Sequence, residues 1–255
     1  MKRISSIILV MCLCLGTIFA QSNRHYAKSH NSGWDTFDRT LRTINNTAST
    51  AMLLKGLANS GHYASIRLGA NQATLKLSGD IAKFANNDNL TGMDLGIVFG
   101  WFLGKSSFIF EPGLYLTLKG GEIYPDINAP IDDAACKVRM TMLEIPLVIK
   151  YDIRVSEMVA LQPFAGGFLG LGIGGSTKFN GTSTEFDTFS NEGFKSFDAG
   201  LRAGCGIEIN RFYLEAVADV GLLDLANSQY RDFGFNNWSD EVKSNCITLN
   251  VGVNF

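Results

Sequence analysis

The chain closes on Asn245 to Phe255, NCITLNVGVNF, in which Ile247, Leu249, Val251, Val253 and Phe255 are apolar while Cys246, Thr248, Asn250, Gly252 and Asn254 are small or polar. A strict period of two makes a strand with one apolar and one polar face. A soluble sandwich strand shows the same alternation, with its apolar face turned to a core. A strand of this kind that stops on a terminal aromatic looks instead like the closing strand of a barrel whose apolar face meets lipid and whose small polar face meets the lumen.

The same text recurs upstream. Seven further alternating stretches run Tyr63 to Leu77, Gly92 to Leu103, Phe108 to Lys119, Val138 to Tyr151, Val159 to Gly175, Phe197 to Ile209 and Arg211 to Leu222. The connections between them sort by length. Gly104 to Ser106, Asp152 to Glu157 and Asn210 are tight, whereas Ser78 to Thr91, Gly120 to Lys137, Ser176 to Ser196 and Leu223 to Ser244 are long and polar. Short and long alternate without exception, as short periplasmic turns and long external loops do in an outer-membrane barrel. The expected fold is therefore all-β: an eight-stranded antiparallel up-and-down transmembrane barrel, closed because every backbone polar group in lipid must pair within the protein. Pro112, Pro146 and Pro163 fall inside these strands, where proline removes a ladder hydrogen bond, so bulges or strand ends are expected there. The crowded glycines of the fifth strand, at 166, 167, 170, 172, 174 and 175, precede no helix and read as lumen-side space or bulging, not a nucleotide loop.

Residues 1–20 read as a cleaved signal peptide: Lys2 and Arg3, an apolar run from Ile7 to Phe19, and a small residue at Ala20. Residues 21–61 form a periplasmic N-terminal segment. Within it Trp34, Phe37, Leu41 and Ile44 recur at helical spacing between Asp35, Asp38, Arg39 and Arg42. The barrel is assigned to 62–255. After cleavage the chain is slightly acidic, which argues against nucleic-acid binding. Cys136, Cys205 and Cys246 remain, an odd number with no zinc or redox spacing, and Cys205 and Cys246 fall on opposite faces.

LEIPLVIKY (Leu143 to Tyr151), the alternating glycine strands and the terminal Phe255 resemble the PorT-like outer-membrane β-barrel family of Bacteroides-type bacteria. FYLEAVADVGLLDL (Phe212 to Leu225) is similar to that family's penultimate strand. The resemblance covers roughly residues 62 to 255 and implies an outer-membrane, porin-like barrel. It also raises a role in protein secretion, and it implies no catalytic residues.

The alternation turns Arg67, Asp94, Glu111, Glu144, Lys150, Arg202, Glu215 and Asp219 inward. So enclosed, these charges need partners or water. They read as an ion-pair network filling a barrel too narrow for anything but its own side chains, with a gated ion pathway or proton site as the alternative. Glu111 and Glu144 on neighbouring strands do not suggest a hydrolase pair, because no sugar-sized cleft accompanies them. Barrel enzymes carry a base at the external rim, usually histidine; His25, His30 and His62 all lie at or before the start of the first strand. Carboxylates such as Asp187 with Glu185, or Asp232 with Asp240, read as solvated loop charge. No enzyme, cofactor or metal is expected. The external loops carry aromatics, and Tyr124, Phe186, Phe189, Tyr230 and Trp238 are the candidate contacts for a surface partner. The other expected partners are outer-membrane lipid and the barrel-assembly machinery, which would read the C-terminal strand ending in Phe255.

Overall fold

The computed structural model describes residues 62–78, 85–125, 136–179, 185–189, 194–226 and 241–255. Eight long strands are present among them: β1 (His62–Ser78), β2 (Ala85–Phe102), β3 (Phe108–Pro125), β4 (Cys136–Tyr151), β5 (Val159–Phe179), β6 (Phe197–Ile209), β7 (Phe212–Gly221) and β8 (Glu241–Asn254). Each pairs antiparallel with its sequence neighbours, β1 pairs with β8, and the ring is closed. Two short pieces, Ile153–Arg154 and Glu185–Asp187, add to the two ends of β5. The N-terminal segment and its helical pattern lie outside the described residues.

The tight turns fall where the sequence places them. Gly104, at φ 67°, turns the chain between β2 and β3, and Asn210, at φ 56°, turns it between β6 and β7. Asparagine and glycine are the residues that accept this left-handed backbone. At the other end the strands run further than expected. β2 begins at Ala85 instead of Gly92, β3 continues to Pro125, and β5 continues to Phe179. Much of what reads as polar loop is therefore ladder, which the polarity of its outward side conceals.

The extension carries a correction to the expected faces. In the lower and middle barrel the outward side is apolar, and Leu201 and Leu249 stand 57% and 62% exposed. Toward the long-loop end β1 keeps its parity but the polarity of its two faces reverses. Gln72 and Lys76 of β1 face out exposed, while Leu75 and Leu77 face in and are buried. Val138, Met140 and Met142 of β4 join them with Val242, Leu225 and Phe194 in one apolar cluster. Above the membrane the surrounding medium is water again, so this part of the barrel is built like a soluble protein, apolar inside and polar outside.

The prolines also depart from expectation. None sits at a register shift. Pro112 and Pro146 border a stretch where the β3–β4 ladder is interrupted but keeps its register. Pro163 lies between the end of the β4–β5 ladder at Phe164 and the short pairing of Leu161 with Ile153. Each missing N–H thus falls beside a place where the ladder is already unmade. The β5 bulge is real but sits higher, where Thr141 pairs with Gly174 and Met142 with Gly172. Ile173 is the extra residue, and it flips the parity of β5, so that Gly175 and Thr177 face inward beyond it.

Candidate functional site

All eight charged residues that the alternation turns inward lie in the barrel interior, each less than a tenth exposed. Two more join them. Lys119 continues the inward parity of Glu111, Tyr115 and Thr117 by one step, and Asp198 shares the parity of Arg202, so the signal for both is in the sequence.

The charges sort into two groups. In the first, Arg67 binds Glu111 at 2.7 Å and Glu215 at 2.9 Å. Lys150 binds Glu111 at 3.0 Å and donates to the Tyr213 hydroxyl at 2.6 Å. Tyr63 donates to Glu111, and the Asn250 amide donates to Glu215 at 3.0 Å. Both cations lie over the Tyr213 ring, at 4.3 and 4.2 Å from its centroid. In the second group Lys119 joins Glu144 at 2.8 Å and Asp198 at 2.9 Å. Arg202 meets Asp219 with both arms of its fork, each at 2.7 Å, and reaches Glu144 at 3.1 Å. Asp94 accepts a hydrogen bond from the Asn71 amide at 2.7 Å.

Glycines make the network fit. Inward Tyr115 lies over Gly96 of the neighbouring strand, Tyr63 over Gly100 and Phe168 against Gly200, where an added Cβ would strike each ring. A flat ring over a residue without a side chain fills a narrow lumen that two full side chains would overfill.

The consequence is a sealed interior. Arg67, Glu111 and Glu144 are each 2% exposed and Lys150 is 0% exposed, so almost none of their surface is open to a water-sized sphere. The apolar cluster of Leu75, Val138, Met140 and Phe194 closes the barrel above. Nearer the short turns, Gln162 donates to Asp152 at 2.8 Å and Glu208 at 3.3 Å, and Asn254 donates to Glu208 at 3.0 Å. Glu111 and Glu144, which share a face on adjacent strands, are neutralised in separate groups. His62 pairs with Trp101 at the short-turn end, the far side from any external rim. Among the described residues no cluster of histidine, cysteine or carboxylate has the makings of a metal site. The three described cysteines are free, Cys205 exposed and Cys136 and Cys246 buried.

Of the candidate loop contacts, Phe189 does not point outward. Its ring fills the space a side chain at Gly172 would need and packs on the apolar cluster. Phe194, another loop aromatic, is buried in that cluster and its backbone bridges Ala226. Tyr124 and Phe186 belong to β3 and to the short Glu185–Asp187 strand, and Tyr230 and Trp238 lie outside the described residues.

Residues 19–227 match the family model described as outer membrane protein beta-barrel domain. Among solved structures the chain is similar to Ail, the attachment invasion locus protein of Yersinia pestis, at 16% identity over 77% of this chain and 100% of that chain, with a TM-score of 0.38. It is similar to Neisserial surface protein A at 16% identity over 77% of this chain and 98% of that chain, with a TM-score of 0.40. It is also similar to OprG of Pseudomonas aeruginosa at 14% identity over 76% of this chain and 96% of that chain, with a TM-score of 0.41. No curated protein matches the sequence. The chain belongs to the outer membrane protein beta-barrel domain family, and its place is the outer membrane.

Proposed function

We propose that this barrel is a non-enzymatic envelope protein that works through contacts at its external rim and through its N-terminal segment. The observation that carries the reading is the sealed lumen: the ion-paired charges are buried from end to end of the network, leaving the rim and the outer wall as the surfaces available to partners. The described histidine stands at the wrong end for rim chemistry, and the interior carboxylates are engaged by cations or amides. The chain is exported with cleavage after Ala20 and inserted by barrel-assembly machinery that recognises the C-terminal strand ending in Phe255. Its likeness to PorT-like barrels of Bacteroides-type bacteria suggests an accessory place in a secretion machine, which rests on resemblance alone.

Chemical cross-linking in intact outer membranes, followed by identification of captured proteins, tests the reading; capture of a defined partner through the rim supports it. Steady single-channel steps from the purified barrel in a planar bilayer would replace it with a narrow porin-like channel. An unchanged secretome after deletion of residues 21–60 would remove the secretion role.

A further inference from the structure

The outward row of β4 runs Tyr151, Ile149, Leu147, Ile145, Leu143 and then turns polar at Thr141, Arg139 and Lys137. At roughly 3.3 Å per residue and a tilt of about 40°, the run from Tyr151 to Thr141 rises about 25 Å, the height of the apolar band of an outer-membrane barrel. Thr141 and Arg139 therefore stand where acyl chains give way to headgroups on the external side.

The wall is notched at this level. The β2–β3 ladder shifts register between Asn89 and Asp94, so Leu90 to Met93 oppose only Leu118 to Gly120. Gly120 lets β4 approach closely here: a Cβ on Gly120 would strike the Val138 carbonyl oxygen and lie 3.0 Å from the Leu90 Cδ2. A cavity of about 20 Å³ opens there, lined by Leu90, Thr91, Leu118, Arg139 and Thr141 among others. That is room for one oxygen-sized group.

Two polar groups line the notch without a partner. Thr141 is fully buried and its Oγ1 makes no hydrogen bond. The Arg139 guanidinium is paired with no carboxylate among the described residues. Its neighbours across the ladders are Gly120 and Ser176, and Asp187, next along that rung, accepts a hydrogen bond from the Phe189 amide at 3.0 Å. Lys137, two residues along the same face, is ion-paired with Glu122 and adds a second cation nearby.

An unpaired guanidinium at a membrane boundary matches the oxygens of a phosphate, which its planar fork binds in two places at once. Leu90 and Leu118 beside it match the first methylenes of an acyl chain, a component free phosphate lacks. We propose that this notch on the outer face of β2, β3 and β4 is a binding site for the phosphorylated headgroup of an outer-leaflet lipid. Arg139 holds the phosphate, one headgroup oxygen enters the notch to reach Thr141, and Leu90 and Leu118 flank the start of the acyl chain. The site depends on the outer wall and not on the rim contacts proposed above, so either stands if the other fails.

The test uses the full-length protein in phosphatidylcholine vesicles doped with bis-phosphorylated lipid A or with the same lipid dephosphorylated. Lipid retained through detergent exchange is read by native mass spectrometry. The wild type retains the phosphorylated lipid. Arg139→Ala and Arg139→Gln retain about tenfold less, the scale of one charge-assisted contact, and Thr141→Val loses a smaller share. Lys76→Ala, which removes an outward cation from β1, three strands away from Arg139 on β4, retains wild-type amounts. The heat-dependent gel shift of a folded barrel confirms that each variant has folded. Wild-type retention by both Arg139 variants overturns the proposal. So does equal retention of the two lipids by the wild type, equal loss in Lys76→Ala, or complete displacement of the lipid by millimolar inorganic phosphate.

Discussion

Arg67→Met is the sharpest test of whether the interior is a packed, dry network. Arg67 is 2% exposed, lies between Glu111 at 2.7 Å and Glu215 at 2.9 Å, and rests on the Tyr213 ring. Its removal leaves two buried carboxylates to share Lys150, which stands 3.0 Å from Glu111 but 3.7 Å from Glu215. Breaking a buried pair by removing one partner costs about 3–5 kcal/mol, because an uncompensated charge stays behind. With a urea slope of about 2 kcal/mol/M, the unfolding midpoint in lipid should fall by roughly 2 M. The double variant Arg67→Met, Glu215→Gln also removes the carboxylate that Lys150 reaches only at 3.7 Å and leaves Lys150 paired with Glu111 at 3.0 Å, so no charge is orphaned and most of that loss should be recovered. The assay is reversible urea unfolding in vesicles followed by tryptophan fluorescence. A wild-type midpoint for Arg67→Met would refute the reasoning, because it would mean that water reaches the carboxylates and solvates them in place of the guanidinium.

Four further outcomes follow from the same geometry. Leu249→Arg places a charge on the lipid face and should cost about 2–4 kcal/mol, whereas Thr74→Arg, on the polar outer face above the reversal, should leave the urea midpoint near wild type; equal costs would erase the reversal of faces. Gly96→Ala drives a methyl into the Tyr115 ring and should cost about 1–3 kcal/mol by overpacking, while Gly174→Ala meets nothing within 4 Å and should be neutral in the same assay. Leu75→Ala opens a cavity in the external apolar cluster and should cost about 2–5 kcal/mol without producing single-channel steps, since the ion network below stays shut. Asp224, beside the external mouth, has its carboxyl held below the ordinary range: partial burial works against this, but the Val242 and Ala226 amides and Lys195 outweigh it. Its contribution is present above the unfolded value of about 4 and is lost as pH falls through the lower folded value. Limited proteolysis should therefore cut near Ala226 faster in that acid window, and Asp224→Asn should cut equally fast at neutral pH and lose the pH dependence.

The sequence by itself determined the number of strands, their antiparallel order and the end at which the short turns lie. A period of two fixes which residues share a face, and loop lengths alternate only when strands go up and down. It also turned Arg67, Asp94, Glu111, Glu144, Lys150, Arg202, Glu215 and Asp219 to a common side, with Lys119 one parity step beyond them. Tertiary structure alone decided the rest. Periodicity does not say which face meets which medium, so the reversal at Leu75 and Met140 appears only once the height of each strand against the bilayer is known. A single extra residue at Ile173 flips every face beyond it, and the flip is visible only against the partner strand. The choice of partners belongs to closure: Arg67 meets Glu215 across a sequence separation of 148 residues, a distance that no local pattern spans and that the joining of β1 to β8 brings to hydrogen-bond length.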